Sequence, residues 1–264
     1  MLAAMRQARI LDEVRRAGGV RVSDLTGLLG VSDMTIRRDL EALDRRGLLA
    51  KVHGGATAID TASAVEPGFE AKSLRETAEK EAIAARAATL VRPGMAIAVT
   101  AGTTTWTLAR HLALIADLTV VTNSLKVAEV LHAQNRPDLT VVLTGGLRTP
   151  SDGLVGPVAV QAVSSLHVDM LIMGVHGLDA RAGLTTPNLL EAETNRAMVE
   201  ASKRLVVVAD HTKWGVVGLA RIAPLSAIST LVIDDRLDAA AISTLEEQVD
   251  ELILIPADGS EETS

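Results

Sequence analysis

Short apolar runs and segments with helical spacing alternate along most of the chain. The apolar runs are MAIAVT (95–100), LTVVT (118–122), LTVVLT (139–144), VDMLIMG (168–174), LVVVA (205–209), TLVID (230–234) and ELILI (251–255). Helical patterns occupy 73–91, 104–116, 124–133, 188–203 and 237–248. Apolar strands that alternate with helices are typical of a mostly parallel sheet covered on both faces. We therefore predict an α/β domain over 73–258, the body, with ligands bound outside the carboxyl ends of its strands.

Residues 1–58, the head, have a different pattern, with helical segments and no long β-branched run. We predict helices from Ala4 to Ala17, from Ser23 to Gly30 and from Ser32 to Gly47. Serine is a favourable residue before the first helical turn, and glycine is a natural helix end. The short turn between the second and third helices is typical of a helix-turn-helix unit.

The third helix has one apolar and one polar face at about 100° per residue. The apolar face is expected to pack in the core of the head and carries Ile36, Leu40 and Leu43. The opposite face carries Met34, Arg38 and Arg45, with Thr35 and Arg37 beside it. Residues near the start of a recognition helix reach base edges. An arginine there can bind guanine through two hydrogen bonds, and a threonine can contact a thymine methyl group or a phosphate.

The segment LLAKVHGGATAI (48–59) predicts two short strands around Gly54 and Gly55, which would form a wing. Lys51 and His53 are placed there to meet phosphates or the minor groove. An arginine pair alone is more often a solvated helix face, and helix-turn-helix shapes also occur in proteins that do not bind DNA. The combination of capped helices, a glycine turn, an arginine pair and a wing favours DNA binding.

The segment VSDMTIRRDLEALDRRGLLAKVHGGA (31–56) resembles the DNA-binding motif of the DeoR family of transcriptional regulators. In that family a serine, a TIRRDL core and a His-Gly-Gly wing recur at this spacing. The resemblance implies DNA contacts by Ser32, Thr35, Arg37 and Arg38, with help from Lys51 and His53. We add two candidates by position, Met34 on the exposed helix face and Gly54 in the wing.

Between the head and the body, GATAIDTASAVEPGFE (55–70) mixes small residues, glycine and proline without periodicity. Such composition is typical of a linker. We predict a winged helix-turn-helix domain at 1–58, a linker at 59–72 and an effector-binding sensor domain at 73–258.

Glycine and hydroxyl residues gather where the predicted strands of the body end. They occur in Gly102 to Thr105, Asn123-Ser124, Gly145-Gly146, the glycines of 174–177, and Asp210 to Lys213. Free N–H groups at helix N-termini, together with hydroxyls, bind anions. Helix capping is the better explanation of any single strand end, but five ends on one edge favour a pocket. A lysine adds charge, so the pocket suits a phosphate on a sugar or polyol.

The body also resembles the DeoR-family sensor domain, which shares its fold with ribose-5-phosphate isomerase and glucosamine-6-phosphate deaminase. This resemblance implies that the effector is bound by Lys80, Gly102, Thr103, Thr104, Thr105, Thr122, Asn123, Ser124, Gly145, Gly146, Gly174, Asp210 and Lys213. Two positions depart from the family pattern. Thr100 stands where the family usually has aspartate, and Lys72 where it often has arginine. If that aspartate holds a sugar hydroxyl, the effector of this chain is atypical.

Charge is distributed unevenly along the 264 residues, and the formal net charge is −7. The head has ten Lys/Arg and seven Asp/Glu, a net of +3, and the remainder has sixteen and twenty-six, a net of −10. A basic head on an acidic body fits a DNA-binding face beside a separate function. The chain has no cysteine, and no apolar run approaches the roughly 20 residues that span a membrane. We expect a soluble cytoplasmic protein that does not bind a membrane.

Motifs for catalysis and cofactors are absent from the sequence. The six histidines have no metal-ligand spacing, GTTT does not match a Walker loop, and no full GxGxxG follows a strand. We therefore predict no metal and no cofactor, and a dinucleotide fold has no support from a sequence motif. Asp210 with Lys213 could serve an isomerase, so a sugar-phosphate isomerase-like enzyme fused to a DNA-binding head is the alternative.

The fused DNA-binding head favours a regulator over an enzyme. We predict a repressor of a carbohydrate-utilisation operon, relieved by a phosphorylated sugar or sugar alcohol. One winged helix offers few base contacts, so we also expect a homo-oligomer, a dimer or tetramer, on repeated operator half-sites.

Overall fold

The computed structural model describes residues 3–17, 19–46, 48–52, 54–57 and 69–256. The chain divides into two compact units, Met1–Ala62 with Glu70–Arg75 and Ser63–Phe69 with Glu76–Ser264. Gly47, His53 and most of the predicted linker lie outside the described residues.

The head contains the predicted helix-turn-helix and wing. Its helices are α1 (Ala3–Ala17), α2 (Val22–Leu29) and α3 (Asp33–Arg45). Its strands are β1 (Gly19–Arg21), β2 (Ala50–Val52) and β3 (Gly55–Thr57), which form an antiparallel sheet in the order β1-β3-β2. The two wing strands are therefore confirmed, and β1 is an addition. A three-residue strand that pairs with residues 55–57 has no local sequence pattern.

The helix ends in the head agree with the sequence at two positions and differ at a third. Ser32 caps α3, since its Oγ accepts a hydrogen bond from the Thr35 N–H, and Gly30 ends α2 in the left-handed conformation at φ 64°. The prediction that Ser23 caps α2 is wrong, because the helix begins at Val22 after Arg21. Strand β1 leads directly into the helix, and the Val22 N–H donates to the wing carbonyl of Gly54 at 2.9 Å.

The end of the predicted linker is helical in the structure. Phe69–Ser73 forms a short helix, α4. The Phe69 ring packs edge-to-face on Trp106, with 5.6 Å between ring centroids. The Phe69 N–H also donates to the Pro150 carbonyl at 3.2 Å. Phe69 is therefore attached to the body by packing as well as by hydrogen bonding.

The body contains all seven predicted strands. Its helices are α5 (Thr77–Ala88), α6 (Thr103–Leu112), α7 (Leu125–His132), α8 (Pro157–Ser164), α9 (Leu189–Glu200) and α10 (Ala239–Gln248). The predicted strands are β4 (Ala96–Val99), β5 (Leu118–Thr122), β6 (Leu139–Leu143), β9 (Met170–Gly174), β12 (Leu205–Ala209), β14 (Thr230–Asp234) and β15 (Leu252–Ile255). Shorter strands, which we did not predict, are β7 (Leu147–Arg148), β8 (Leu154–Val155), β10 (Gly177–Asp179), β11 (Gly183–Thr186) and β13 (Ala220–Ala223).

The seven predicted strands form one parallel sheet in the order β15-β14-β12-β9-β4-β5-β6. From β4 the chain adds β5 and β6 on one side, so that β6 is one edge strand. It then returns to add β9, β12, β14 and β15 on the other side of β4. This is the strand order of doubly wound nucleotide-binding sheets, although the sequence lacks their glycine motif. In such sheets the ligand binds where the strand order reverses, which here is between β4 and β9.

Both faces of the sheet are covered. Alternate residues of β4 point to opposite faces, as strand geometry requires. Ile97 packs with Ile83 of α5 and Leu108 of α6. Ala98 belongs to the other core, with Leu184 of β11 and residues of α8 and α9. The small antiparallel sheet β10-β11-β13 thus helps to cover the second face, where helices alone were expected.

Candidate DNA interface and effector site

The exposed start of α3 carries two linked hydroxyl groups. The Oγ of Ser32 lies 2.9 Å from Oγ1 of Thr35, and it also accepts the Thr35 N–H. Met34 lies between them in sequence and is 60% exposed. Ile36, Leu40 and Leu43 are fully buried, which confirms the predicted core face of the helix.

The two neighbouring arginines of α3 have different surroundings. Nε of Arg37 lies 2.5 Å from Oδ1 of Asp33, and this hydrogen bond raises the pKa of Arg37. Arg38 is exposed and, within the described part of the chain, forms no hydrogen bond or ion pair. Arg38 is therefore available to a ligand at once, whereas Arg37 must leave Asp33 first.

The wing contacts α3 through its lysine. Nζ of Lys51 lies 2.6 Å from Oε1 of Glu41, and the Lys51 N–H donates to Oδ1 of Asp44 at 3.0 Å. The hydrogen bond from Lys51 lowers the pKa of Glu41. Gly54 has φ 84°, in the left-handed region that favours glycine. His53, the remaining wing candidate, lies outside the described residues.

A buried ion pair joins α1 to α3, and the sequence did not reveal it. Asp39 is 5% exposed, and its Oδ2 accepts Nε of Arg6 at 2.5 Å. Its Oδ1 accepts Nε2 of Gln7 at 3.0 Å. A buried carboxylate needs such partners. Asp39 therefore fixes the orientation of α3 against α1. Its position next to Arg37 and Arg38 in the sequence did not predict these contacts.

In the body, polar residues meet at the reversal point of the sheet. Thr100 follows β4 and is 1% exposed, and its Oγ1 accepts the N–H of Gly174 at the end of β9 at 3.1 Å. A Cβ atom on Gly102 would lie 3.0 Å from Oγ1 of Thr105, and one on Gly174 would lie 3.6 Å from the Thr105 methyl carbon. The space beside Gly102 is therefore too tight for an unstrained side chain, whereas the contact at Gly174 is an ordinary one.

The first turn of α6 offers backbone donors. The Trp106 N–H bonds to the Gly102 carbonyl at 3.0 Å, and Oγ1 of Thr105 donates to the same carbonyl at 3.0 Å. Among the residues that the structure describes, the N–H groups of Thr103, Thr104 and Thr105 have no acceptor, and no side chain caps this helix. Free N–H groups beside the positive end of a helix dipole bind anions.

The predicted side chains after β5 are engaged in internal hydrogen bonds. Oγ1 of Thr122 donates to the Val99 carbonyl at 2.7 Å. Oδ1 of Asn123 accepts the Ala101 N–H at 2.8 Å, and its Nδ2 donates to the Leu154 carbonyl at 3.1 Å. Ser124 caps α7 by accepting the Val127 N–H at 3.2 Å. Ser124 is therefore a helix cap, as the capping interpretation expected, whereas Thr122 and Asn123 bond to the backbone of neighbouring strands and loops.

The two glycines after β6 allow the β7–β8 hairpin to fold back. Gly145 and Gly146 have φ values of 73° and 122°, and a Cβ atom on Gly146 would lie 2.6 Å from the Val155 carbonyl oxygen. In the hairpin loop, a Cβ atom on Gly153 would lie 3.0 Å from Cβ of Ala101, beside the end of β4. The glycine pair therefore places a loop against the reversal point of the sheet.

Two lysines that are distant in sequence act on one buried carboxylate. Asp210 follows β12 and is 1% exposed, and its Oδ1 accepts the Thr212 N–H at 3.1 Å. Burial acts to raise the pKa of Asp210, but the positive charge of Lys213, the Thr212 hydrogen bond and the positive charge of Lys80 together lower it. Asp210 is therefore ionised beside two cations. Lys80, on α5, is 4% exposed.

Residues at the end of β14 were missed by the sequence analysis. Asp234 accepts the His211 N–H at 2.6 Å, and its other oxygen lies 2.9 Å from Nδ1 of His211. Arg236 lies 2.8 Å from Glu79 and 3.6 Å from Glu76. The run TLVIDDR predicted a strand with polar residues after it, but nothing in it pointed to these partners.

Two features are absent from the described residues, a metal-binding cluster and a membrane-spanning helix. The described residues contain no group of three or more histidines, cysteines and carboxylates that could hold a metal ion. In the same part of the chain, no helix has the length and apolar character needed to cross a membrane.

Comparison with known families matches both parts of the chain. Residues 6–62 match the DeoR-like helix-turn-helix domain, and residues 75–235 match the DeoR C-terminal sensor domain. A solved structure of ribose 5-phosphate isomerase A from Methanocaldococcus jannaschii is 17% identical, covers 51% of this chain and 53% of its own, and has a TM-score of 0.37. That similarity is too low to support a conclusion.

Relatives in other organisms align over most of the chain. The HTH-type transcriptional regulator GlpR of Haloferax volcanii is 38% identical, over 93% of this chain and 95% of the relative. The HTH-type transcriptional repressor CsqR of Escherichia coli is 32% identical, over 94% of both chains. The glycerol-3-phosphate regulon repressor of E. coli is 32% identical, over 89% of this chain and 92% of the relative. These relatives are transcriptional regulators and not enzymes, as we predicted for this chain, and the chain belongs to the DeoR family of helix-turn-helix transcriptional regulators.

Proposed function

We propose that this regulator represses a carbohydrate-utilisation operon and is released from its operator by a phosphorylated sugar or sugar alcohol. The proposal is supported by free N–H groups after β4 and charged side chains after β12, because both positions lie at the carboxyl ends of strands of one parallel sheet. The first turn of α6 supplies the donors, and Lys80, Asp210 and Lys213 supply the charges.

The ligand would use these groups according to their chemistry. The free N–H groups of 103–105 suit a phosphate, and Lys213 adds attraction through its charge. The ionised carboxylate of Asp210 accepts hydrogen bonds and repels anions, so it suits the hydroxyl groups of a sugar. Inorganic phosphate would bind the N–H groups of 103–105 but would offer no hydroxyl group to Asp210.

The name of one relative agrees with this chemistry. The E. coli relative at 32% identity is a repressor of the glycerol-3-phosphate regulon, and glycerol 3-phosphate is a phosphorylated polyol. Thr100 supplies a hydroxyl at the reversal point of the sheet where the family resemblance implies a carboxylate. We therefore propose the class of effector, a phosphorylated polyol or sugar, and expect its identity to differ among relatives.

For the head, we propose that Arg38 contacts a base edge while the hydroxyls of Ser32 and Thr35 contact the DNA backbone. Met34 would add an apolar contact. Arg37 would bind a DNA phosphate after its ion pair with Asp33 breaks. From the wing we propose contacts by Lys51, His53 and the backbone at Gly54. We also propose that the operator is bound by a dimer or tetramer, because a single winged helix contacts few bases.

Two measurements test this function together. The operator is first selected from random double-stranded DNA with the full chain, and its affinity is measured by fluorescence anisotropy. The complex is then titrated with ribose 5-phosphate, glucose 6-phosphate, fructose 1-phosphate and glycerol 3-phosphate, each beside its unphosphorylated form. We expect at least one phosphorylated compound to release the DNA and its free form to act far more weakly. A free sugar as effective as its phosphate would contradict the proposal, as would a monomer at micromolar concentration that binds its operator tightly.

A further inference from the structure

The end of β14 contacts the element that carries Lys213. Asp234, the last residue of the strand, is 1% exposed. Its carboxylate accepts the backbone N–H of His211 at 2.6 Å and lies 2.9 Å from the ring Nδ1. His211 opens the single helical turn His211–Lys213, so two contacts to one buried carboxylate hold the start of this turn. The position of Lys213 therefore depends on Asp234.

The same strand end also contacts the element that carries Lys80. The guanidinium group of Arg236 lies 2.8 Å from Oε1 of the buried Glu79 and 3.6 Å from Oε2 of Glu76. Glu76 precedes the first turn of α5, and Glu79 is the neighbour of Lys80. The Arg236 N–H in turn donates to Oδ1 of Asp234 at 3.3 Å. Arg236 therefore attaches the start of α5 to the strand end that holds the Lys213 turn.

We propose that Asp234 and Arg236 are positioning residues, which together set the placement of Lys213 and Lys80 around Asp210 and so hold the anion site in its ligand-binding form. The inference rests on the proposed function, since it assigns the supports of that same site. Neither residue needs to touch the ligand. Each acts through a neighbour, Asp234 through His211 and Arg236 through Glu79.

The chemistry of these contacts supports the assignment. Groups that orient ligand-binding side chains must be fixed, because small displacements of charged groups weaken electrostatic contacts. Asp234 is the deeply buried partner, and Arg236 is 48% exposed on its side chain. Loss of Arg236 removes the cation beside the buried Glu79, so the melting temperature of each variant is measured together with its affinity.

Protonation of His211 provides a second readout. Carboxylates face His211 from three elements, Asp234 at the end of β14, Asp210 after β12 and Glu76 before α5. The cations of the same cluster are Lys80, Lys213 and Arg236. The Asp234 carboxylate, whose Oδ1 lies 2.9 Å from the ring Nδ1, is the largest cause of a raised pKa of His211. Asp234→Asn removes that carboxylate charge, so the pKa of His211 falls in the variant and the pH dependence of ligand binding shifts with it.

The experiment measures binding to the full chain by calorimetry, with inorganic phosphate and glycerol 3-phosphate as probes. Variants Asp234→Asn and Arg236→Gln are compared with the wild type, with Lys213→Ala as the variant that removes the proposed site itself. Asp250→Asn and Arg92→Gln are matched controls, because both are exposed and distant in sequence from the cluster. Each titration is repeated from about pH 6 to pH 9, a range that includes the ordinary pKa of histidine and values above it.

We expect both positioning variants to lower the affinity for the probe about tenfold or more, the loss typical when a group that orients a ligand is removed. The controls should bind as the wild type does. Arg236→Lys should restore part of the affinity, because it keeps a charge beside Glu79. The ratio of wild-type to Asp234→Asn affinity should decrease as pH rises, since His211 then loses its proton in the wild type as well. The ionisation of phosphate affects both proteins equally and cancels in this ratio.

Three results would count against the account, and they can be told apart. If Lys213→Ala loses binding while Asp234→Asn and Arg236→Gln bind as the wild type does, the positioning inference is wrong and the proposed function stands. A wild-type chain that binds neither probe and none of the other phosphorylated compounds titrated above overturns the proposed function and the inference with it. So does a Lys213→Ala variant that binds as well as the wild type.

Discussion

The Arg37 guanidinium lies 2.5 Å from the Asp33 carboxylate, one helical turn earlier on α3. Arg38, the next residue, has no such partner within the described residues. The arginine pair therefore consists of one side chain that is neutralised in the free protein and one that is available to DNA. The predictions for the head follow from this difference.

Replacement of Arg38 should reduce sequence preference more than it reduces general DNA affinity. We expect Arg38→Ala to cost about 1–3 kcal/mol on the operator and to relax the preference at one base position. Lys51→Ala should instead weaken binding evenly across sequences, as expected for a phosphate contact. Anisotropy titrations with operator and random DNA test the distinction. An equal loss on both DNAs for both variants would show that Arg38 does not contact a base edge.

Removal of the acidic partners should strengthen DNA binding. Asp33→Asn frees Arg37, and Glu41→Gln frees Lys51, so each variant gains a cation that phosphate can neutralise. We expect an increase of about two- to fivefold in affinity for random DNA at low salt, because exposed pairs are weak, and a steeper dependence on salt. Glu246→Gln on α10 changes the net charge equally and is the control. If all three variants gain the same affinity, net charge and not the pairing explains the effect.

Asp39 should matter for folding of the head and not for contact with DNA. Asp39→Ala removes the buried carboxylate that accepts hydrogen bonds from Arg6 and Gln7. Loss of one member of a buried pair is more harmful than replacement of both. We therefore expect Asp39→Ala to lower the melting temperature of the head more than the double variant Arg6→Met with Asp39→Leu. Equal melting temperatures for Asp39→Ala and the wild type would contradict this role.

The seven strands of the main sheet could be predicted because each is a continuous apolar run, and burial on both faces demands such a run. Apolar periodicity likewise predicted the buried face of α3, where Ile36, Leu40 and Leu43 recur at helical spacing. Ser32 was identified as a cap because its chemistry is local. These features depend only on residues that are close in sequence.

Features that depend on distant pairing could not be predicted in this way. The strand order, β1 and the partners of Asp39 join segments that lie from 21 to 73 residues apart. The strands of the small sheet are short, and two of the three contain glycine, so their sequence pattern is weak. In the candidate site, Lys80 was chosen by resemblance and Lys213 also by its place after a predicted strand. Their shared action on Asp210 and the contacts of Asp234 required the structure.

The stability of the body should depend on pH through His211. Its pKa is raised above the ordinary 6.5, chiefly by the close contact with the Asp234 carboxylate. The stabilisation is therefore fully present below about pH 6.5 and is lost as pH rises through the raised pKa. We expect the melting temperature of the wild type to exceed that of His211→Gln most at low pH, with a difference that shrinks on the alkaline side. His167→Gln, at an exposed position, is the control. A constant difference at all pH values would rule out this linkage.

The central claim is that a phosphorylated ligand binds at the strand ends of the body and weakens operator binding by the head. The most direct test titrates the operator complexes of the wild type and Lys213→Ala with the effective phosphorylated compound. We predict that both proteins bind the operator equally well without ligand and that only the wild type is released. Coupling is reciprocal, so the operator should weaken ligand binding to the wild type by the same factor, typically 1–3 kcal/mol. Normal release of the Lys213→Ala variant by the same ligand concentration would contradict the account.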